Sequence, residues 1–221
     1  MPGWAPLLIG RLHSLLGVVP LGILAVVFAV PLAGLGGGRQ AMSGWIKLTD
    51  SVPWLIAEVS LVYLPLLVHA AYGLRLAISK SYNLTRYSAA NNWSYSLQRV
   101  TGPVILFWAA THIWLFRIPV MSGELRPEDS LDFVFAQLSA TSTSGVPLLL
   151  IGYLGGVTAL SIHLGTGVER FAFTWGLISA KRERLLRQSC IALSVLLWLF
   201  LSHVTLLAGT GTGLLGGLIV G

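Results

Sequence analysis

The sequence predicts an all-α membrane protein with five transmembrane helices that form a bundle. Of its 221 residues, 55% are hydrophobic and only 10% are charged, which excludes an ordinary soluble domain. Five apolar stretches are long enough to cross a bilayer, which takes about 20 residues in a helix. We place them near residues 12–35, 53–79, 97–121, 145–178 and 186–209, within a single domain over residues 1–221.

The five stretches differ in the polar residues that they carry. The first follows Arg11 and is expected to be a true span, because its apolar run is long and no convincing cleavage site follows. The second and fourth contain His69 and His163, and the third begins near Arg99. The fifth contains Cys190, which reads as a small buried hydrophobic residue. One cysteine cannot hold an iron–sulfur cluster.

Basic residues are distributed unevenly around the stretches, and this predicts their orientation. Ten lie before the first stretch or around the second and fourth connections: Arg11, Arg75, Lys80, Arg86, Arg99, Arg170, Lys181, Arg182, Arg184 and Arg187. The other side has Arg39, Lys47, Arg117 and Arg126, together with the acidic residues Glu124, Glu128, Asp129 and Asp132. The positive-inside rule therefore places the N-terminus in the cytoplasm. The basic balance reports topology, so no nucleic-acid partner is expected.

His69 and His163 are the most informative residues. Each lies in an apolar stretch, in LVHAAYGLR and SIHLGTGVER, and each is followed four residues later by glycine. An ionisable residue inside a span is costly and indicates a functional site. Two such residues in matching frames on separate helices point to the axial ligands of one buried haem, with glycine leaving room for the macrocycle. A hydrogen-bonded core histidine is the alternative for either residue alone.

Two arginines lie at matching distances from the histidine pair. Arg75 follows His69 by six residues and Arg170 follows His163 by seven, or about 10 Å of helix. We expect both guanidinium groups to face the haem propionates, because guanidinium is a good partner for carboxylates. The alternative is that both side chains extend to the membrane interface.

The two halves of the chain are weakly similar. R-L-H-S-L-L-G begins at Arg11 and R-V-T-G begins at Arg99, and each half then supplies a helix with H-x-x-x-G. Two helix hairpins related in this way form a bundle with a ligand site between facing helices.

Four motifs together resemble a known family. RLHSLLGVVPLG, LPLLVHAAYG, LQRVTG followed by His112-Ile-Trp, and IHLGTG…FAFTWG are similar to the five-helix dihaem cytochrome b subunit. That subunit anchors succinate:menaquinone reductases and related fumarate reductases. The resemblance runs from Arg11 to about residue 178. It implies a flavoprotein and an iron–sulfur protein as cytoplasmic partners, succinate and menaquinone as substrates, and a bacterial cytoplasmic membrane; a higher oligomer of the complex is left open.

One position departs from the family pattern. The family uses four histidines, of which His69 and His163 match the pair for the haem nearer the cytoplasm. His112 matches one ligand of the outer haem, but Phe28 stands where its partner is expected, and phenylalanine has no lone pair for iron. The resemblance therefore implies one haem b. His112 is then a core histidine, part of an outer quinone site, or a ligand of a replacement haem with His203.

Further polar residues are candidates for binding quinone or moving protons. Near the cytoplasmic side these are Arg11, His13, Ser14, Arg99 and Thr101, and for an outer site or proton path they are Asp50, Glu58 and His112. Each has an alternative role at the interface or in the core. Four rival functions stay open at this point: a fumarate reductase anchor, a cytochrome b for another dehydrogenase, an anchor without haem, and a transporter with a histidine relay.

Overall fold

The computed structural model describes residues 5–33, 47–49, 51–79 and 90–211, without the side chains of 5–6, 25–33, 90–92 and 180. Every regular element in these ranges is helical. The helices are α1 (Ala5–Ala33), α2 (Val52–Glu58, a π-helical Val59–Tyr63, and Leu64–Ser79), α3 (Ala90–His112, a π-helical Ile113–Arg117, and Ile118–Met121), α4 (Ser130–Ser139), α5 (Leu148–Thr174) and α6 (Glu183–Thr210). Single turns of 3₁₀-helix occur at Pro127–Asp129 and Ala180–Arg182.

The five predicted spans are confirmed as α1, α2, α3, α5 and α6. All five are long and apolar enough to cross a membrane. Their ends lie several residues from the predicted positions in three cases. Helix α1 continues through Arg11, whose guanidinium lies 5.1 Å from the ring of Trp175. Helix α3 begins at Ala90, before the predicted start, because its polar Ser94 finds a partner inside the protein, the carboxylate of Glu169.

Glycines with positive φ end the last two spans. Gly176, with φ of 64°, follows α5, and Gly211, with φ of 73°, caps α6. This left-handed conformation is inexpensive only for glycine and closes the end of a helix. The fourth span therefore ends at Thr174, before the predicted residue 178.

Helix α4 was not predicted, because its ten residues are too few for a span. It lies in the connection between α3 and α5. Leu138 of α4 is buried against Phe116 and Tyr153, and Phe133 packs against the same cluster. The helix therefore covers one end of the bundle with its apolar face.

The two ends of the bundle differ in charge. The basic end holds the start of α1, the end of α2, the start of α3, the end of α5 and the start of α6, with exposed Arg75, Lys181, Arg182 and Arg184. The acidic end holds the connection between α3 and α5, with Glu124, Glu128, Asp129 and Asp132.

Helix α5 is the centre of the bundle and packs against α3 and α6, while α1 packs mainly against α2. Small residues allow these close contacts, as is usual between membrane helices. A Cβ atom on Gly156 would lie 2.3 Å from the Trp108 ring, and one on Gly165 would lie 2.7 Å from the Cys190 carbonyl oxygen. At Gly165 the Ser194 side chain is closer still, and the Cys190 carbonyl, which is backbone, cannot move aside as a side chain can.

Gly165→Ala should destabilise the protein by about 1–3 kcal/mol, because the added methyl group forces α5 and α6 apart. Gly155→Ala on the same helix is the matched control, since a Cβ atom there meets nothing within 4 Å. Thermal unfolding of the two variants in detergent measures the difference. Equal midpoints would contradict the close approach of α5 and α6.

Candidate functional site

Three histidines from three helices meet in the half of the bundle nearer the basic end. The rings of His13 on α1 and His69 on α2 are stacked, with centroids 4.1 Å apart and planes 3° apart. The ring of His163 on α5 lies beyond His69, with centroids 6.4 Å apart and planes 84° apart. Packing of the bundle thus brings together the two histidines that the sequence singled out.

Hydrogen bonds to the Nδ1 atoms set the tautomers of His69 and His163. Nδ1 of His69 lies 2.8 Å from the His13 carbonyl oxygen, which can only accept, so the proton is on Nδ1. Nδ1 of His163 lies 3.0 Å from the Thr101 hydroxyl. Since that hydroxyl donates to the Leu97 carbonyl at 2.8 Å, it accepts from His163. Both Nε2 atoms therefore keep a lone pair, and a metal-binding histidine is usually oriented in this way.

The histidine pair fits the axial ligands of a haem. Imidazole nitrogens bind metals at about 2 Å, so two rings on opposite sides of one iron have centroids about 6 Å apart. The rings of His69 and His163 meet this requirement at 6.4 Å. Among the described residues, no group of three or more His, Cys, Asp and Glu side chains is placed to hold a metal ion.

Four glycines lie beside polar side chains of neighbouring helices in this region. A Cβ atom on Gly17 would lie 2.7 Å from Cε1 of His69, and one on Gly73 would lie 3.5 Å from Cε1 of His13. On the other side of the site, a Cβ atom on Gly102 would lie 3.6 Å from Cε1 of His163, and a Cβ atom on Gly167 would lie 3.0 Å from Nε2 of Gln98. Gly73 and Gly167, which follow the predicted ligands in sequence, thus lie against His13 and Gln98.

The guanidinium groups near this site are arranged differently from the expected Arg75–Arg170 pair. Arg75 is exposed. Arg170 lies over the Tyr95 ring at 5.3 Å, and Arg99 approaches the same ring at 5.5 Å. Arg99 is only 5% exposed and donates to the Ala77 carbonyl at 2.6 Å. The structure therefore brings Arg170 together with Arg99.

Glu169 is a buried carboxylate that the sequence reasoning missed. Only 5% of it is exposed; it accepts from Ser94 of α3 at 2.8 Å and pairs with Arg187 of α6 at 3.2 Å. It thus joins three helices at the basic end. The available signal was an acidic residue inside a predicted span, directly before Arg170.

A second polar group links the start of α1 to the end of α5. Trp175 Nε1 donates to the Ser14 hydroxyl at 3.0 Å, and this hydroxyl donates to the Arg11 carbonyl at 2.8 Å. Nε of Arg11 and Nδ1 of His13 are buried and make no hydrogen bond to a described residue. Sequence reasoning found Arg11, His13 and Ser14 but not Trp175, although the tryptophan lies in the FAFTWG motif.

The acidic end contains a partly buried ion pair. Arg117 binds Glu58 at 2.7 Å, and their side chains are 16% and 17% exposed. The Tyr63 hydroxyl also donates to Glu58, and Arg117 donates to the Thr49 carbonyl at 3.0 Å. Tyr63 and Arg117 end the two π-helical segments, and such irregular turns often occur at functional sites. Asp50 lies outside the described residues.

His112 lies in an aromatic cluster of the same half. Its Nδ1 atom is 2.8 Å from the Tyr153 hydroxyl, and its ring also contacts Trp108 and Phe116. Nδ1 of His203 is buried without a hydrogen-bond partner among the described residues. Phe28 lies in α1, but its side chain is outside the description.

Comparisons with known proteins agree with this architecture. The family model described as succinate dehydrogenase/fumarate reductase transmembrane subunit matches residues 79–201. The succinate dehydrogenase cytochrome b558 subunit of Bacillus subtilis (strain 168) is 35% identical over 175 residues, which cover 79% of this chain and 82% of the relative. No solved structure matches the chain significantly. The chain belongs to the family of succinate dehydrogenase/fumarate reductase transmembrane subunits.

Proposed function

We propose that the chain is the cytochrome b anchor of a succinate dehydrogenase, and that His69 and His163 hold one haem b on the electron route from an iron–sulfur subunit to menaquinone. The observation that carries the proposal is the pair of imidazoles with their Nε2 lone pairs free and their centroids 6.4 Å apart. The printed name of the relative, a cytochrome b558 subunit, supports it. The same site would serve a fumarate reductase, because the partners and their potentials decide the direction.

The protein's own part in electron transfer is to hold and orient the two ligands. The His13 carbonyl and the Thr101 hydroxyl accept from the two Nδ1 atoms and so direct Nε2 of each ligand toward the iron. When bound between His69 and His163, the haem would supply a one-electron carrier.

Arg99 and Arg170 are the residues that we assign to the haem propionates. Both guanidinium groups lie near the Tyr95 ring. Tyr95 is close to the start of α3 and Arg170 is close to the end of α5, so the pair lies toward the basic end. Guanidinium groups bind carboxylates with paired hydrogen bonds. Arg75, the other predicted partner, is exposed and suits the membrane interface better.

Quinone reduction is assigned to the surface around Arg11, Ser14 and Trp175. A quinone needs donors to its carbonyl oxygens and a supply of protons. Arg11 has a buried Nε–H without a partner among the described residues, next to the hydrogen-bonded Ser14 and Trp175. Thr101 is already bonded to His163, so it belongs to the haem ligand's surroundings, as does His13 with its stacked ring.

The basic end is the proposed docking surface for the iron–sulfur and flavoprotein subunits, on the cytoplasmic side of a bacterial membrane. Exposed basic residues at this end complement an acidic partner surface and speed its association. At the acidic end, Glu58 and His112 are proposed to serve proton movement, while Asp50 keeps its sequence-based assignment only.

Replacing His69 or His163 by alanine should abolish the b-type absorbance, because each variant loses one of the two protein bonds to iron. A reduced-minus-oxidised spectrum of the purified complex checks this. His203→Ala, another histidine within a span, is the control and should keep the spectrum. A complete low-spin spectrum in either ligand variant would refute the assignment.

We expect one haem per chain, because Phe28 offers no ligand for an outer haem. Pyridine haemochromogen measured against protein gives the ratio. His112→Ala should leave this ratio unchanged, since Phe28 stands where a second ligand of an outer haem would be needed. Two haems per chain, with one lost in His112→Ala, would instead point to His203 as a replacement ligand.

Trp175→Phe should lower kcat/KM for quinone about 5-fold, the effect of one lost hydrogen bond worth about 1 kcal/mol. Succinate oxidation with a soluble dye should stay normal, because the dye bypasses the quinone site. Trp198→Phe is the matched control, since Trp198 makes the same kind of bond to Thr158 at 2.9 Å. Equal losses with quinone and dye would indicate faulty assembly and argue against the site.

A further inference from the structure

Four of the spans share one local pattern, a polar side chain followed four residues later by glycine. The pairs are His13 and Gly17 on α1, His69 and Gly73 on α2, Gln98 and Gly102 on α3, and His163 and Gly167 on α5. Two of the four pairs contain the proposed ligands His69 and His163. In the structure all four pairs lie around the same site.

The pairs interlock two by two. On α1 and α2, His69 lies against Gly17 while His13 lies against Gly73. On α3 and α5, His163 lies against Gly102 while Gln98 lies against Gly167. The two helix pairs are therefore built alike, and Gln98 occupies the place that His13 has in the first pair.

This arrangement corrects the frame of the internal repeat. The structure matches Gly17 with Gly102, so RLHSLLG corresponds to SLQRVTG. Arg11 then aligns with Ser96, and not with Arg99 as the motifs alone predict. The two helix pairs thus resemble each other more in their contacts than in their sequences.

Gly17 leaves a backbone carbonyl of its own helix uncovered. In an α-helix, the side chain of a residue tilts toward the N-terminus, over the carbonyl four residues earlier. The carbonyl four residues before Gly17 belongs to His13, and it accepts from Nδ1 of His69 at 2.8 Å. A Cβ atom at residue 17 would lie 2.7 Å from Cε1 and 2.9 Å from Nδ1 of His69.

We infer that Gly17 is a positioning residue for the haem ligand His69: by leaving the His13 carbonyl uncovered, it fixes the Nδ1 proton and the plane of the ring. The inference rests on the proposed haem site. An Nδ1–H bond to a carbonyl makes Nε2 a stronger donor to iron, which favours the ferric state. Loss of this bond should therefore shift the midpoint potential of the haem in the positive direction.

The other glycines provide a graded comparison. A Cβ atom on Gly102 would be in ordinary contact with His163 at 3.6 Å, and one on Gly22 of α1 would meet nothing within 4 Å. Moreover, His163 bonds to a threonine hydroxyl rather than to a carbonyl of the opposing helix. Gly17→Ala should thus perturb the haem, whereas Gly102→Ala and Gly22→Ala should resemble the parent.

The experiment uses the whole complex carrying each of the three alanine variants. Redox titration gives the midpoint potential, and electron paramagnetic resonance gives the g values of the oxidised haem, which report the angle between the ligand planes. We expect a positive shift in potential and altered g values for Gly17→Ala alone. A Gly17→Ala haem that matches the Gly22→Ala haem in both measurements would overturn the inference while leaving the haem site intact. A parent complex without haem would overturn the proposed function as well.

A second variant decides the matter if Gly17→Ala does not assemble. His13→Gln removes the stacked ring but keeps the backbone carbonyl, and it introduces the side chain that the second helix pair has at this place. Because the carbonyl is what holds the plane of the His69 ring, the g values should stay at the parent values, whereas the potential also responds to the loss of the stacked imidazole. Altered g values would show that the His13 side chain orients the ligand, which overturns the role given to Gly17.

Discussion

Polar side chains within the five spans have to find their partners inside the protein, because hydrocarbon offers no hydrogen bonds. The contacts around the site follow from this constraint. His69 and His163 each use Nδ1 for a partner on a neighbouring helix, Glu169 binds Ser94 and Arg187, and the Glu58 carboxylate binds Arg117. Each of these bonds joins different helices, so together they set how the helices pack.

Such bonds form only where the helices come close, and glycine supplies the space. The bond between His69 and the His13 carbonyl depends on the bare backbone at Gly17, and the contact between α5 and α6 depends on Gly165. Membrane helices gain little from the hydrophobic effect when they associate, so close packing and hydrogen bonding carry a large share of the stability. Gly17 and Gly165 have ordinary helical backbone, so their contribution is the absence of a side chain and not a special backbone conformation.

The two ends of the bundle differ in charge, and most of the candidate site residues lie near the basic end. The candidate haem ligands lie in the half nearer the basic end, beside Arg99, Arg170 and the buried Glu169. In the proposed function, electrons from partners at the basic end therefore cross only part of the bundle. The ion pair of Glu58 and Arg117 lies in the other half, next to the two π-helical segments.

The five spans, the choice of His69 and His163 as candidate ligands, and the family could be derived from the sequence, because hydropathy, residue type and short motifs are local properties. The expectation of a single haem, which rests on Phe28, is likewise a prediction from the sequence. The tertiary structure alone decided which residues meet: Gly17 with His69, Trp175 with Ser14, and Arg99 with Arg170 around Tyr95. The physical reason is that these contacts join helices far apart in the chain, and their register depends on how side chains pack across the whole bundle.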